Sequence, residues 1–372
     1  MSHITFENDT IAEVLKNAAR ISPKEGSLAH SFTPGIFIQV LDSGEIIVRS
    51  TDQQIFYTQW SSGIGHSGGS WEWHVTERIA KWCAGLPAGS GKQVLFSDDN
   101  DGMLTIKHGR AIHKVSLIED MQYPHWEPFA EDDAYVINGF YNKIEQVQWA
   151  AALGSDKVRA EFTGVCLDGE SIIATNGYRC ARTPCELPAA KGRPITFPHK
   201  IVTPMLSGIP DVPVVIDGNN IGIAPDEYSQ IYIRSFAESP ATAARNMNTQ
   251  YDHYLEYNNE QLSTSLKLMI DSVGLSERPI VSLMIFNECI FLNMRGPKDD
   301  VAQDVIDVPG FATHDYAVTI TFDPNYLLRA ITNTPRRTGR LHYNKESARI
   351  NYISCDDYQA WIAQKANSSG QY

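Results

Sequence analysis

Three short stretches carry side chains that could do chemistry, and each kind of chemistry sets a geometric requirement. Gly63-Ile-Gly65-His-Ser-Gly68 has the glycine spacing of a dinucleotide-binding turn. That turn works only when a helix N-terminus follows at once and offers its backbone N–H groups to a pyrophosphate. Here Trp71-Glu-Trp-His-Val75 alternates like a strand before the next helical run, so the glycines predict a loop and not a phosphate cradle. Asp98-Asp-Asn-Asp-Gly102 has the composition of a calcium loop. With Gly102 in sixth place, Ser97 stands first and His108 twelfth, where a bidentate glutamate is required. The segment is expected to be a hairpin tip. His108 and His113, five apart in an alternating strand, are expected on opposite faces and unable to share a metal. Without a Gly-x-Ser-x-Gly elbow or a cysteine–histidine signature, no catalytic residue, metal or cofactor is expected.

The basic residues carry more information. Lys16, Arg20 and Lys24 lie on or just after a helical run near the N-terminus. Lys157 and Arg159 follow a second such run, and Lys267 and Arg278 lie on and after a third. His199 and Lys200 begin another helix, in the place that Arg78 and Lys81 hold earlier and Arg329 holds later. Recurrence at equivalent places points to a shared basic surface.

Those places are equivalent because the elements repeat. Thr76 to Pro87, Phe197 to Pro210 and Phe322 to Pro335 are each a short helical run closed by proline. The prolines are 123 (210 − 87) and 125 (335 − 210) residues apart, a domain-sized period. Each unit opens with an amphipathic helix: Ile11, Val14, Leu15, Ala18 and Ala19, then Ile144, Val147 and Ala151, then Leu262, Leu266, Met269, Ile270 and Val273. Strand-like segments follow each helix, and a hairpin follows each proline-closed run. Every unit reads helix, two or more strands, helix, strand pair. The linkers Tyr123 to Asp133 and Ala237 to Thr249 set domains of 1–130, 131–247 and 248–355, with an extension at 356–372. In that extension Tyr358, Trp361 and Ile362 have helical spacing behind Asp356 and Asp357, which predicts a two-turn helix with Trp361 packed on the body.

Bulk properties agree with a soluble protein of several domains. The chain has 372 residues, 42% hydrophobic and 20% charged, with no apolar run long enough for a membrane. Six scattered cysteines, with no secretory signal, point to reduced thiols and a cytoplasmic location. A formal charge of −13 argues against tight, charge-driven wrapping of nucleic acid. It leaves room for a basic strip on an acidic body.

Together the three domains resemble the bacterial-type DNA polymerase sliding clamp, the β subunit of the replicative polymerase. Ile173-Ala-Thr-Asn-Gly-Tyr-Arg-Cys-Ala181 is similar to that family's Ala-Thr-Asp-Gly-His-Arg-Leu-Ala motif, with Thr175, Gly177, Arg179 and Ala181 matching. Val158-Arg-Ala-Glu-Phe-Thr-Gly164 resembles the segment upstream, and Gly85-Leu86-Pro87 the first-domain helix end. The resemblance implies an α+β DNA clamp fold, with two helices packed on antiparallel sheets in each domain. It also implies a non-enzymatic processivity factor: a head-to-tail homodimer that encircles duplex DNA without regard to sequence and tethers the polymerase and clamp loader. DNA would meet Lys16, Arg20, Lys24, Lys157, Arg159, His199, Lys200, Lys267 and Arg278. Short hydrophobic peptides of the partners would enter a cleft walled by Phe162, Thr175, Gly177, Tyr178, Arg179 and Cys180, with Ile353 and Cys355 from the last strand. Family chains end soon after a methionine-proline-methionine strand, whereas this one has Ile353-Ser-Cys355 and seventeen more residues (372 − 355). The alternative is a clamp-like, non-ring accessory protein.

Overall fold

The computed structural model describes residues 2–365 apart from 24–34, 87–91, 99–101, 119–122, 125, 131–133, 153–158, 237, 241–249, 276–278, 287, 299, 309–316, 345–349 and 356. One series of elements runs three times along the chain: strand, helix, three strands, strand, helix, three strands. The first run is Ser2–Glu7, α1 (Asn8–Ile21), Ile36–Val40, Glu45–Thr51, Ile55–Ser62, Trp71–Val75, α2 (Arg78–Ala84), Gln93–Asp98, Met103–His108 and Ala111–Ser116, with Gly65–His66 added. The second is Tyr135–Asn138, α3 (Phe140–Gln148), Val165–Leu167, Ser171–Thr175, Arg179–Pro184, Ile195–Phe197, α4 (His199–Val202), Asp211–Asp217, Asn220–Asp226 and Ser229–Arg234. The third is His253–Asn258, α5 (Asn259–Val273), Val281–Phe286, Cys289–Arg295, Val301–Asp307, Val318–Phe322, α6 (Pro324–Thr332), Thr338–Tyr343, Ile350–Cys355 and Tyr358–Ala363.

Local chemistry explains the helix limits. α1 buries Ile11, Val14, Leu15 and Ala18 along one stripe and stops at Ser22, which precedes Pro23. Asn258 caps α5 by accepting from Gln261 N at 3.1 Å. Asp323 caps α6, and Pro324 in first position costs no hydrogen bond there.

The chain folds into two compact units, residues 1–139 with 200–235 and residues 140–199 with 236–372. The first unit holds a five-stranded sheet in the order Gly65–His66, Ser2–Glu7, Gln93–Asp98, Met103–His108, Ala111–Ser116. It also holds an eight-stranded antiparallel sheet in which Ser229–Arg234 lies beside Ile55–Ser62, so a strand of the second run joins one of the first. In the second unit an eight-stranded sheet joins Tyr358–Ala363 to Arg179–Pro184 in the same way, with Cys180 opposite Trp361. Its other sheet has the order Val301–Asp307, Cys289–Arg295, Val281–Phe286, Val318–Phe322.

Two expectations are corrected. His108 and His113 are not in one strand, because Gly109 (φ 58°) turns the chain between them. The register pairs Ile106 with His113 and His108 with Ala111, so both imidazoles share a face, and that of His113 stacks on Trp82 at 5.3 Å. Among the described residues no group of three histidine, cysteine or acidic side chains could hold a metal.

The second correction is the tail. Tyr358–Ala363 is a strand between Arg179–Pro184 and Ile350–Cys355, not a helix. Two ladders of backbone hydrogen bonds outweigh the weak helical preference of the sequence, and Tyr, Trp and Ile suit the pleat. Trp361 does pack inside, at 2% exposure, and the Tyr358 hydroxyl accepts from Trp149 Nε1 at 3.0 Å. Residues 366–372, which that helix was to precede, lie outside the described residues. Replacing Trp361 with alanine should lower unfolding free energy by about 3–5 kcal/mol in urea titration, as expected for a buried aromatic. An unchanged midpoint would mean that the strand is dispensable.

Candidate functional site

The motif Thr175–Arg179 is a tight turn between two strands of the second unit, and side chains fix its shape. Thr175 Oγ1 donates to Arg179 O at 2.6 Å and accepts from Gly177 N at 3.1 Å. Asn176 Oδ1 accepts from Tyr178 N and Arg179 N at 3.0 and 3.1 Å, closing the turn from its side chain. Gly177 sits at φ 89°, where a side chain would be strained. The turn thrusts Tyr178 outward, 70% exposed, while Ala363 N ties its carbonyl at 2.8 Å.

Arg179 points the other way. It is buried, its Nε and Nη2 donate to the carbonyls of Ala150 and Ala151 at 3.3 and 2.8 Å, and its guanidinium lies 4.1 Å from the Tyr326 ring and 5.9 Å from that of Trp149. These contacts join the end of α3, the motif turn and α6. Asp323 anchors the start of α6 through Asn325 N and Tyr326 N and also pairs with the Lys365 ammonium at 2.8 Å.

The remaining expected cleft residues divide between surface and interior. Phe162 is half-buried on a short turn of 3₁₀ helix, under the Arg159 guanidinium at 5.0 Å. Thr175 and Cys180 are fully buried; Cys180 packs with Cys166, Ile173 and Trp361, and burial pushes its thiol up to about 12, so it stays protonated at neutral pH. Ile353 and Cys355 are buried too, and they are not on the last strand. The strand that pairs with the motif is Tyr358–Ala363, which sets Ile362 opposite Arg179. The sequence reading missed Ile362 and Lys365, because taking Ile353–Cys355 for the final strand shifts the site by one ladder, and it missed Trp149 and Tyr326 because they reach Arg179 from other elements that no motif spacing links to it.

Of the residues expected at DNA, Lys16 and Arg20 are exposed one turn apart on α1, Lys200 on α4 and Lys267 on α5. His199 is buried, at 3% exposure, so its imidazole is an interior group and not a surface contact. Arg159 is held by Glu161 and Glu238, both at 2.8 Å. Lys24, Lys157 and Arg278 lie outside the described residues. Around Gly63–Gly68, Gly65–His66 pairs with Ile4 and Thr5, and the strand Trp71–Val75 follows as the alternation predicts.

No family model matches the chain, and no curated protein matches it in sequence. Solved structures do. DNA polymerase III subunit beta from Pseudomonas aeruginosa is similar with a TM-score of 0.81 at 16% identity, over 98% of this chain and 99% of that one. The beta subunit from Thermotoga maritima gives 0.81 at 15%, over 99% and 100%. The DNA polymerase sliding clamp from Caulobacter crescentus gives 0.82 at 13%, over 98% and 100%. The chain has the fold of the bacterial DNA polymerase sliding clamp.

Proposed function

We propose that this protein is a DNA polymerase processivity clamp in which two copies join head to tail, close around duplex DNA and hold replication proteins at the Tyr178 turn. The observation that carries this reading is a pair of open sheet edges. At both joints inside the chain, the last strand of one run pairs with the fourth strand of the run before it: Ser229–Arg234 with Ile55–Ser62, and Tyr358–Ala363 with Arg179–Pro184. Two strands of those kinds are left over. The last strand of the first run, Ala111–Ser116, and the fourth strand of the third run, Val301–Asp307, each end their sheets.

An open edge offers unpaired N–H and C=O groups and invites another strand. The two edges differ in charge. On the strands themselves, His113 and Lys114 lie on the first, and Asp304 and Asp307 on the second. Exposed apolar side chains accompany both: Ile112 (62%), Val301 (52%) and Val305 (52%). Like edges repel and unlike edges attract, which favours head-to-tail pairing of identical chains. The third joint would then repeat the first two, and the division into three domains would follow the three runs of elements. A closed ring holds DNA by topology, so the exposed Lys16, Arg20, Lys200 and Lys267 need supply only weak phosphate contacts, and an acidic body is no obstacle.

Retention on DNA tests the ring. The protein loaded on nicked circular DNA should remain bound through gel filtration and should run off the same DNA once it is linearised. Equal retention on both forms would favour a non-ring accessory protein. At the joint, Asp304→Lys should shift the dimer to monomer in light scattering, and Lys114→Asp in the same chain should restore it, since opposed like charges cost several kcal/mol. At the partner site Arg179 holds the fold together, so Tyr178→Ala is the cleaner probe. Truncating that exposed ring should weaken binding of a short hydrophobic polymerase-tail peptide by at least about 1 kcal/mol in calorimetry, with the dimer intact.

A further inference from the structure

The turns between the third and fourth strands of the first two runs are built alike. Thr51 Oγ1 accepts from Gln53 N at 2.8 Å, and Asp52 Oδ1 accepts from Gln54 N and Ile55 N at 2.9 and 2.7 Å. Thr175 and Asn176 do the same for Gly177, Tyr178 and Arg179, 124 residues on (175 − 51). That match sets the strands that follow in register, so Trp60 and Pro184 hold equivalent places (184 − 60 = 124) in Ile55–Ser62 and Arg179–Pro184. The opening helices match as well. Ile11, Leu15 and Ala18 are buried along α1, and Phe140, Ile144 and Val147 along α3, each set at i, i+4 and i+7. Val14 and Lys143 each stand one residue before the middle of the stripe.

In the second run those two places meet, because the Lys143 ammonium donates to Pro184 O at 2.7 Å. In the first run a valine stands where that lysine does, and Val14 and Trp60 line a groove of about 550 Å³. Asp9 and Glu13 of α1, Glu45 and Tyr228 line it too, and Tyr228 O accepts from Trp60 N at 2.8 Å. Asp9, Glu13 and Glu45 are exposed, and none of them is in an ion pair among the described residues. Asp9 lies in the first turn of α1, where it offsets the positive end of the helix, so the groove is negative overall. No arginine or lysine among the described residues covers the ring of Trp60 or of Tyr228. Nor do three carboxylates converge closely enough there to hold a metal ion. Charge spread along a groove with aromatic walls suits an organic cation.

We propose that this groove binds a lysine or arginine side chain on a peptide of another protein. The partner would supply from outside the cation that Lys143 supplies from within the second run. Aromatic rings and carboxylates around one cavity are the groups that hold such a cation, the first through their π faces and the second through charge-assisted hydrogen bonds. The volume falls within the usual range of ligand pockets, roughly 300–1,000 Å³, and exceeds what one side chain fills, so residues flanking the cation have room as well. Every residue named in the groove belongs to the first unit, and the test needs neither DNA nor a closed ring.

The test is fluorescence anisotropy with a labelled, end-blocked hexapeptide of alternating lysine and glycine. Glu13→Gln and Asp211→Asn each remove one negative charge from an exposed place in the first unit, but only Glu13 lines the groove. Glu13→Gln should weaken binding about fivefold and Tyr228→Ala about threefold, while Asp211→Asn should leave it unchanged. Equal losses in Glu13→Gln and Asp211→Asn would mean that the peptide senses only net charge, and this would overturn the site, as would a peptide that does not bind the native chain. Spermidine carries the same positive charge as the hexapeptide without its backbone, and it should displace the peptide only at about tenfold higher concentration. Displacement at equal concentration would assign the groove to a free polyamine and overturn the peptide.

Discussion

Backbone groups at a sheet edge need partners, and this molecule is organised by how it supplies them. A strand at an edge carries a row of N–H and C=O groups that water or another strand must satisfy. Twice in this chain the answer is the last strand of a following run, set antiparallel to the fourth strand of the run before it. The joint is therefore main-chain hydrogen bonding first and side-chain packing second. That order explains how the fold persists at 16% identity or less to the bacterial clamps, because a ladder needs a strand and not a particular residue. Side chains then choose the register, as where Phe56 meets Tyr232 and Cys180 meets Trp361.

Periodicity made the helices and most strands legible in the sequence. The stripe Ile11, Val14, Leu15, Ala18 is the buried face of α1, and Trp71–Val75 is the strand that its alternation predicts. What failed was local spacing read without its neighbours. Tyr358, Trp361 and Ile362 fit a helix equally well on paper, and only the two flanking strands decide for the pleat. His108 and His113 were misread for a related reason: Gly109 and Arg110 make a two-residue turn inside what looked like one alternating run. The opening strand of the second run also escapes the sequence pattern, since Tyr135–Asn138 has only four residues.

The motif turn shows how far a short match can carry. It located Thr175, Gly177, Tyr178 and Arg179 together, and the structure confirms that they form one turn. It gave no hint that Tyr178 and Arg179 divide the labour. One is outside on the surface, and the other is inside as a clip between Trp149 and Tyr326. Tyr326 lies well over a hundred residues away in sequence, and no spacing rule reaches that distance. Thr175 and Cys180, adjacent to the exposed ring, belong to the interior that holds it out.

The opposite charges of Ala111–Ser116 and Val301–Asp307 give each chain a direction, like a link with a hook and an eye. Copies joined hook to eye all circulate in the same sense, so the two sides of such an assembly are chemically different. Every Tyr178 would then face the same side. A machine gripping that side would meet the strand polarity of the duplex in one orientation only, and two different machines would have to take turns or share by occupying separate copies. Orientation on DNA would thus be inherited from the sign of a few charges on two strand edges.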